Sequence, residues 1–324
     1  MTFKKNWERS TKLFEIPAAV IEGMVRQAMP YNKLLSYELI HEGCSNLNVR
    51  LHIDEPAAPS LILRIYFVNQ DGPFMERLSY RLLNNRVPMP CIHYIGKYEE
   101  YQFSIAQCMP GISLRDFLLS DHAPREIEKM MFAVGVVLSR IANFQFPCSG
   151  NFNRELAFIG GCSQEGYLHF MNLFLEKKFI LSHFSSGILL KIEQFTEKNK
   201  NLFPTGEETS FVHGDFDANN LLVDQIEGEW KVTGVLDWEM PFSGSIFCDI
   251  SNMLRYRRQM PSNFENSFLT GLLSQGVKIP TDWAKRADLL NLMALLSCLA
   301  KTNPEKSPQQ CADICKLVGE IVES

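Results

Sequence analysis

Three side chains in the second half of this 324-residue chain have the types and spacing that phosphoryl transfer requires. Asp215, in His213-Gly214-Asp215, is followed by Asn220 in D-x-x-x-x-N spacing, and Asp237 opens Asp237-Trp238-Glu239 behind a β-type run. Moving a phosphoryl group needs a carboxylate that orients an attacking hydroxyl and accepts its proton. It also needs oxygen ligands that hold a divalent cation against the phosphates, because the transition state is mostly charge to be positioned and neutralised. Mg²⁺ is hard and prefers carboxylate and amide oxygens, the groups that Asp237 and Asn220 carry. His213-Gly214-Asp215 alone is equally consistent with a tight turn and its caps. The two motifs together, each behind a β-type run, favour the chemistry.

These residues need strands to position them. The runs at 210–213, 221–223 and 231–236 have β character. A hairpin between the last two would set Asn220 and Asp237 toward one ion and leave Asp215 facing the acceptor. Upstream, strands fit at 36–40, 48–53 and 61–68, and a helix over 74–85 has Met75, Leu78, Leu82 and Leu83 at helical spacing. Val87-Pro88-Met89-Pro90 ends that helix, and two further strands fit at 91–96 and 101–108. After Pro110-Gly111 the pattern turns helical. Ser113 reads as an N-cap for 114–120, amphipathic stretches follow at 124–144, 166–179 and 187–198, and helices resume after Asp249, including 282–299 and 309–322. The expected class is α+β and bilobal. A small five-stranded N-lobe with one main helix would occupy 1–108, and a larger, mostly helical C-lobe 109–324.

H-G-D-x-x-x-x-N followed by hydrophobic-D-W-E resembles the aminoglycoside phosphotransferase and choline kinase superfamily, within the protein-kinase-like fold. The resemblance runs from the strand before Gly43 to the helix after Asp249. It implies that Asp215 is the catalytic base, that Asn220 and Asp237 bind Mg²⁺, and that His213 supports the loop by hydrogen bonding, with Asp249 structural. It further implies that Arg64, on the third strand, touches the α- and β-phosphates and is held by Glu76; a solvated surface pair is the other reading. Gln107 and Met109, in 107–111, match the inter-lobe hinge, where backbone groups would meet the adenine edge, or else form a plain connector. The loop containing Gly43, Ser45 and Asn46 could cradle phosphates with its N–H groups or be an ordinary hairpin turn. Asp217-Ala218-Asn219 departs from the usual His-Pro-Gly-like filling, and Asp217 reads as a turn cap in preference to a charge near the acceptor. Glu239 is equally an outer partner of the metal ligands and an ion-pair partner. The resemblance implies ATP or GTP as donor and a small hydroxylated acceptor, such as an amino sugar, macrolide or amino alcohol, that could be cationic. Drug resistance and metabolism are both compatible with it.

The totals narrow the alternatives. A net charge of -5 is a poor basis for nucleic-acid binding. The first residues have no continuous apolar core, and no stretch is long and apolar enough to span a bilayer. Nine cysteines without a C-x-x-C argue for reduced thiols in a cytoplasm. The expected state is a monomer or homodimer. A protein kinase would carry D-F-G, A-P-E and H-R-D, which are missing here. A catalytically silent nucleotide-binding scaffold would be expected to have lost the base or a metal ligand. A metal-dependent hydrolase would need further histidines at ligand spacing.

Overall fold

Alternate residues of β2 (Asn46–Ile53) are apolar, and the fold turns them to one side. The structure is a computed structural model that describes residues 2–8, 16–40, 46–54, 60–177, 180 and 182–323. In it Leu47, Val49, Leu51 and Ile53 are buried on one sheet face. With β1 (Leu34–Ile40), β3 (Ser60–Tyr66), β4 (Ile92–Tyr98) and β5 (Tyr101–Gln107), β2 forms a five-stranded antiparallel sheet in the order β1-β2-β3-β5-β4. The expected five-stranded lobe is therefore present. It holds a second helix that the sequence reading did not include, α1 (Ala18–Ala28), whose Val20, Ile21, Met24 and Val25 cover the apolar sheet face. Those four positions form one helical stripe behind Pro17.

The two-residue period of β3 decides what the other face does. Leu61, Leu63 and Ile65 enter the core beneath α1, so Arg64 and Tyr66 point the opposite way. There the Tyr66 hydroxyl donates to Glu76 at 2.6 Å, on α2 (Gly72–Leu83).

The chain then crosses to the helical lobe through β6 (Ile112–Ser113), which pairs with β10 (Leu221–Ile226). Ser113 accepts from the Asp116 N–H at 3.1 Å and caps α3 (Leu114–Leu119). The long α4 (Pro124–Ala142) buries Met130, Met131, Val134 and Leu138, and crosses α8 (Ser262–Leu273) where Gly135 meets Gly271. A Cβ on Gly135 would sit 2.1 Å from the Phe268 carbonyl oxygen, so glycine is what lets the two backbones approach.

β7 (Gly150–Phe152), β8 (Phe158–Ile159), β9 (Ser210–Val212) and β12 (Phe242–Gly244) form a small sheet in the order β8-β7-β12-β9. Strands of two or three residues are too short for alternation to show in sequence, and of these only β9 falls on a run with expected β character. Further helices among the described residues are α5 (Gln164–Leu175), α6 (Ser186–Asn199), α7 (Phe247–Met253), α9 (Trp283–Leu299) and α10 (Pro308–Val322). Among the described residues no helix is long and apolar enough to cross a membrane.

Candidate active site

The loop after β9 is fixed through its backbone. Gly214 has φ +89, and a Cβ there would lie 2.5 Å from the Met240 carbonyl oxygen. Glycine takes that conformation and that approach without strain. The N–H groups of His213 and Gly214 donate to the two oxygens of Asp249 at 2.7 and 3.0 Å. Asp249 stands in the first turn of α7 and is fully buried. Burial pushes its carboxyl up to about 6, while His213 and the two N–H donors favour the charged form. One turn further on, Asn252 donates to the Gly214 carbonyl at 3.1 Å and is itself held by Arg255 at 2.6 Å. Asp249 was expected to be structural. Asn252 was missed, although its place one turn along the same helix was a usable signal.

His213 links this loop to the next strand. Its Nε2 lies 2.9 Å from the Leu236 carbonyl and must donate there, which leaves Nδ1 to accept from the Asp215 N–H at 3.2 Å. Trp238 packs over the His213 ring and donates to the Val235 carbonyl at 2.8 Å.

β10 and β11 (Glu229–Val235) make the hairpin that the sequence suggested, with Leu221 opposite Val235. Its two-residue turn, Glu227-Gly228, has positive φ at both positions, the geometry that matches strand twist. The Leu236 N–H donates to the Asn220 carbonyl at 2.8 Å, so Asn220 and Asp237 stand at one end of the hairpin. Asp237 has φ +67, a left-handed conformation uncommon outside glycine. Asn220 donates its Nδ2 to Asp215 twice, to the backbone oxygen at 2.9 Å and to Oδ2 at 3.0 Å. The oxygen end of its amide is the end left for a cation.

A second cluster lies where the lobes meet. Arg64 bonds Glu76 at 2.9 Å and Asp237 Oδ1 at 2.9 Å, and also bonds Glu239. Asn46 bonds Glu239 as well, and Asn69 donates to the Glu239 carbonyl at 3.1 Å. Burial works against the Arg64 charge, but Asp237, Glu76 and Glu239 outweigh it and hold the guanidinium firmly protonated. Burial raises Glu76 and pushes Glu239 up to about 8, with Asp237 adding to both and Arg64 opposing.

Oxygens of Glu76, Asp237 and Glu239 lie within 4.8 Å of one another. Three carboxyl groups around one guanidinium, with Glu239 pushed up to about 8, make an arrangement that a further cation would relieve. Arg64 Nε and Asn46 Oδ1 are buried and have no hydrogen-bond partner among the described residues. Both features fit a site that receives Mg²⁺ and phosphate oxygens.

Gly43 and Ser45 lie outside the described residues. Gln107 ends β5, and Met109 lies on the connector to β6, where Thr233 donates to the Pro110 carbonyl at 2.7 Å. Asp217 caps the turn, the role preferred for it, and has a further partner. Its Oδ1 accepts from the Asn219 N–H at 2.9 Å and caps the turn, and its Oδ2 pairs with Lys4. Lys4 also stands 3.5 Å from Asp215. Nothing in its sequence context signalled that placement.

Comparison with known proteins gives a consistent result. Residues 36–289 match the Phosphotransferase enzyme family. The fold is similar to aminoglycoside phosphotransferase APH(4)-Ia, with TM-score 0.72, 17% identity and coverage of 95% of this chain and 99% of that one. A mutant of that protein was solved as a ternary complex with AMP-PNP and hygromycin B; it aligns with TM-score 0.71 at 16% identity over 94% and 98% of the two chains. The GDP complex of aminoglycoside 2'-phosphotransferase-IIIa aligns with TM-score 0.73 at 12% identity over 94% and 97%. Acyl-CoA dehydrogenase family member 10 of Mus musculus is 27% identical over 214 residues, which is 63% of this chain and 18% of that protein's length.

Proposed function

The chain belongs to the phosphotransferase enzyme family, and from that premise we propose that it transfers the γ-phosphate of ATP or GTP to a hydroxyl of a small molecule, with Asp215 as the base. The observation that carries this reading is the joint held by Asn220, which clamps Asp215 while standing beside Asp237 at the end of one hairpin. In the proposed reaction the acceptor hydroxyl gives its proton to the Asp215 carboxylate, and its oxygen bonds to the γ-phosphorus. The bond from that phosphorus to the β-phosphate oxygen breaks, and the nucleoside diphosphate leaves with the electron pair. Asp215 then releases the proton to solvent. Asn220 and Asp237 would hold Mg²⁺, which when bound neutralises phosphate charge. Arg64, steadied by Glu76, would contact the donor phosphates, and His213 keeps the loop in register. Residues 1–108 would carry the nucleotide, with Gly43, Ser45 and Asn46 over its phosphates and Gln107 and Met109 at the base, and 109–324 would carry the acceptor.

Nucleotide complexes of structural neighbours support a nucleotide donor, and aminoglycoside-bound neighbours support an amino sugar among the candidate acceptors beside macrolides and amino alcohols. The test is a panel of hydroxyl compounds with Mg²⁺-ATP and Mg²⁺-GTP, read by thermal shift and by nucleoside diphosphate release. Nucleotide should raise the melting temperature, and at least one acceptor should accelerate release. Stabilisation by nucleotide with no acceptor-stimulated release across the panel would instead favour a silent scaffold.

A further inference from the structure

Residues 2–8 run across the helical lobe and are anchored there. Phe3 is 3% exposed and packs against Tyr256 and Phe264. Asp313, on α10, collects the Trp7 indole N–H at 2.8 Å, the Thr2 hydroxyl at 3.0 Å and the Tyr256 hydroxyl at 2.6 Å. Glu8 accepts the N–H groups of Gln309 and Gln310 at 2.9 and 3.1 Å at the start of α10. Between these anchors Lys4 takes a left-handed backbone, φ +63. That unusual conformation sends its ammonium to Asp217, in a bond, and to Asp215 Oδ1 at 3.5 Å.

We propose that Lys4 is a further catalytic residue: its ammonium, delivered by the anchored residues 2–8, neutralises the Asp215–Asp217 pair where the acceptor oxygen meets the incoming phosphoryl group. The proposal rests on Asp215 being the base. Asn220 occupies one oxygen of that carboxylate, and Lys4 stands by the other. Without Lys4, the phosphoryl group in transit would face two carboxylates two residues apart, one of them buried. A fixed cation there removes much of that repulsion and can stabilise charge on the transferred group. Burial alone would lower the Lys4 pKa, but Asp215 and Asp217 hold it above its ordinary value, so the charge is permanent at any working pH.

A strap that leaves to open the site is a poorer account of the same contact. Its departure would expose Phe3 and take from Asp313 two of the three hydrogen bonds named above.

The test compares Lys4→Met, Lys4→Arg, the exposed neighbour Lys5→Met and the double variant Lys4→Met/Asp217→Asn in steady-state turnover. Lys4→Met should lower kcat about 10- to 100-fold with little change in nucleotide KM. Lys4→Arg should recover part of the loss, and Lys5→Met should behave as wild type. The double variant should outperform Lys4→Met alone, because removing the second carboxylate restores the charge balance; a merely structural lysine would give no such rescue. Unchanged or faster turnover in Lys4→Met, an equal loss in Lys5→Met, or a double variant no better than the single one would each overturn the proposal. If Lys4→Met does not fold, Lys4→Gln takes its place in each of these comparisons. Asp215→Asn, run beside them, separates the two claims: if it turns over normally the base assignment falls, whereas an inert Asp215→Asn with a fully active Lys4→Met refutes Lys4 alone.

Discussion

The candidate site holds two clusters of carboxylates, and each is organised by one cation. In the first, Arg64 holds Glu76, Asp237 and Glu239; in the second, Lys4 holds Asp215 and Asp217. The difference lies in how each cation arrives. Arg64 is set by the alternation of β3 in the middle of a sheet, within the fold's own framework. Lys4 reaches its partners from more than two hundred residues away along the chain, through the anchoring of residues 2–8. The arginine cluster gathers three carboxyl groups around one guanidinium and pushes one of them, Glu239, up to about 8, whereas the lysine cluster gathers two around one ammonium. In the proposed reaction the first cluster would serve the donor's phosphates and the second the acceptor.

The sharpest way to break this division is to remove one acid from each cluster. Asp215→Asn should lower turnover about 1,000-fold or more while nucleotide affinity stays near wild type, as calorimetry with Mg²⁺-nucleotide would show. Asp237→Ala should lower turnover about 100-fold and also weaken Mg²⁺-nucleotide binding by about tenfold or more. Equal binding losses in both variants would erase the distinction between the clusters.

Removing the arginine is a test of charge. Arg64→Met leaves buried carboxylates without their cation and should destabilise the protein by about 3 kcal/mol in urea unfolding. Added Mg²⁺ should then raise its melting temperature more than that of wild type, if the oxygens are the ligands inferred here.

The smallest expected effect concerns the clamp beneath both clusters. Asp249 is raised from 3.8 to about 6, so the folded form takes up a proton more readily than the unfolded chain. Its contribution to stability is therefore fullest below pH 4 and is lost as pH rises through 6. Relative to Asp249→Asn, wild type should lose on the order of 2 kcal/mol between pH 4 and pH 7 in urea unfolding. A difference that stays flat over that window would show that Asp249 is not the group responsible.

These contrasts also explain what the sequence could reveal. His213, Asp215, Asn220 and Asp237 sit on one loop and one hairpin, so their spacing along the chain is close to their arrangement in space. Arg64 and Glu76 belong to neighbouring elements, and a strand period and a helix period suffice to aim them. Lys4 was invisible because its position depends on Phe3, Trp7 and Glu8 finding partners on elements after residue 250, and no local periodicity encodes that. Helix α1 was legible in principle, since Val20, Ile21, Met24 and Val25 form a stripe. The small sheet of β7, β8, β9 and β12 was mostly illegible, because strands of two or three residues are made by tertiary pairing and not by their own pattern.

The most direct measurement follows a labelled γ-phosphate, with Mg²⁺ and hydroxyl acceptors, in wild type and in Asp215→Asn. The account predicts label bonded to an acceptor oxygen in the wild-type reaction, and almost none with the variant even though nucleotide remains bound. Label released only as inorganic phosphate at equal rates from both proteins, or transfer undiminished in Asp215→Asn, would contradict it.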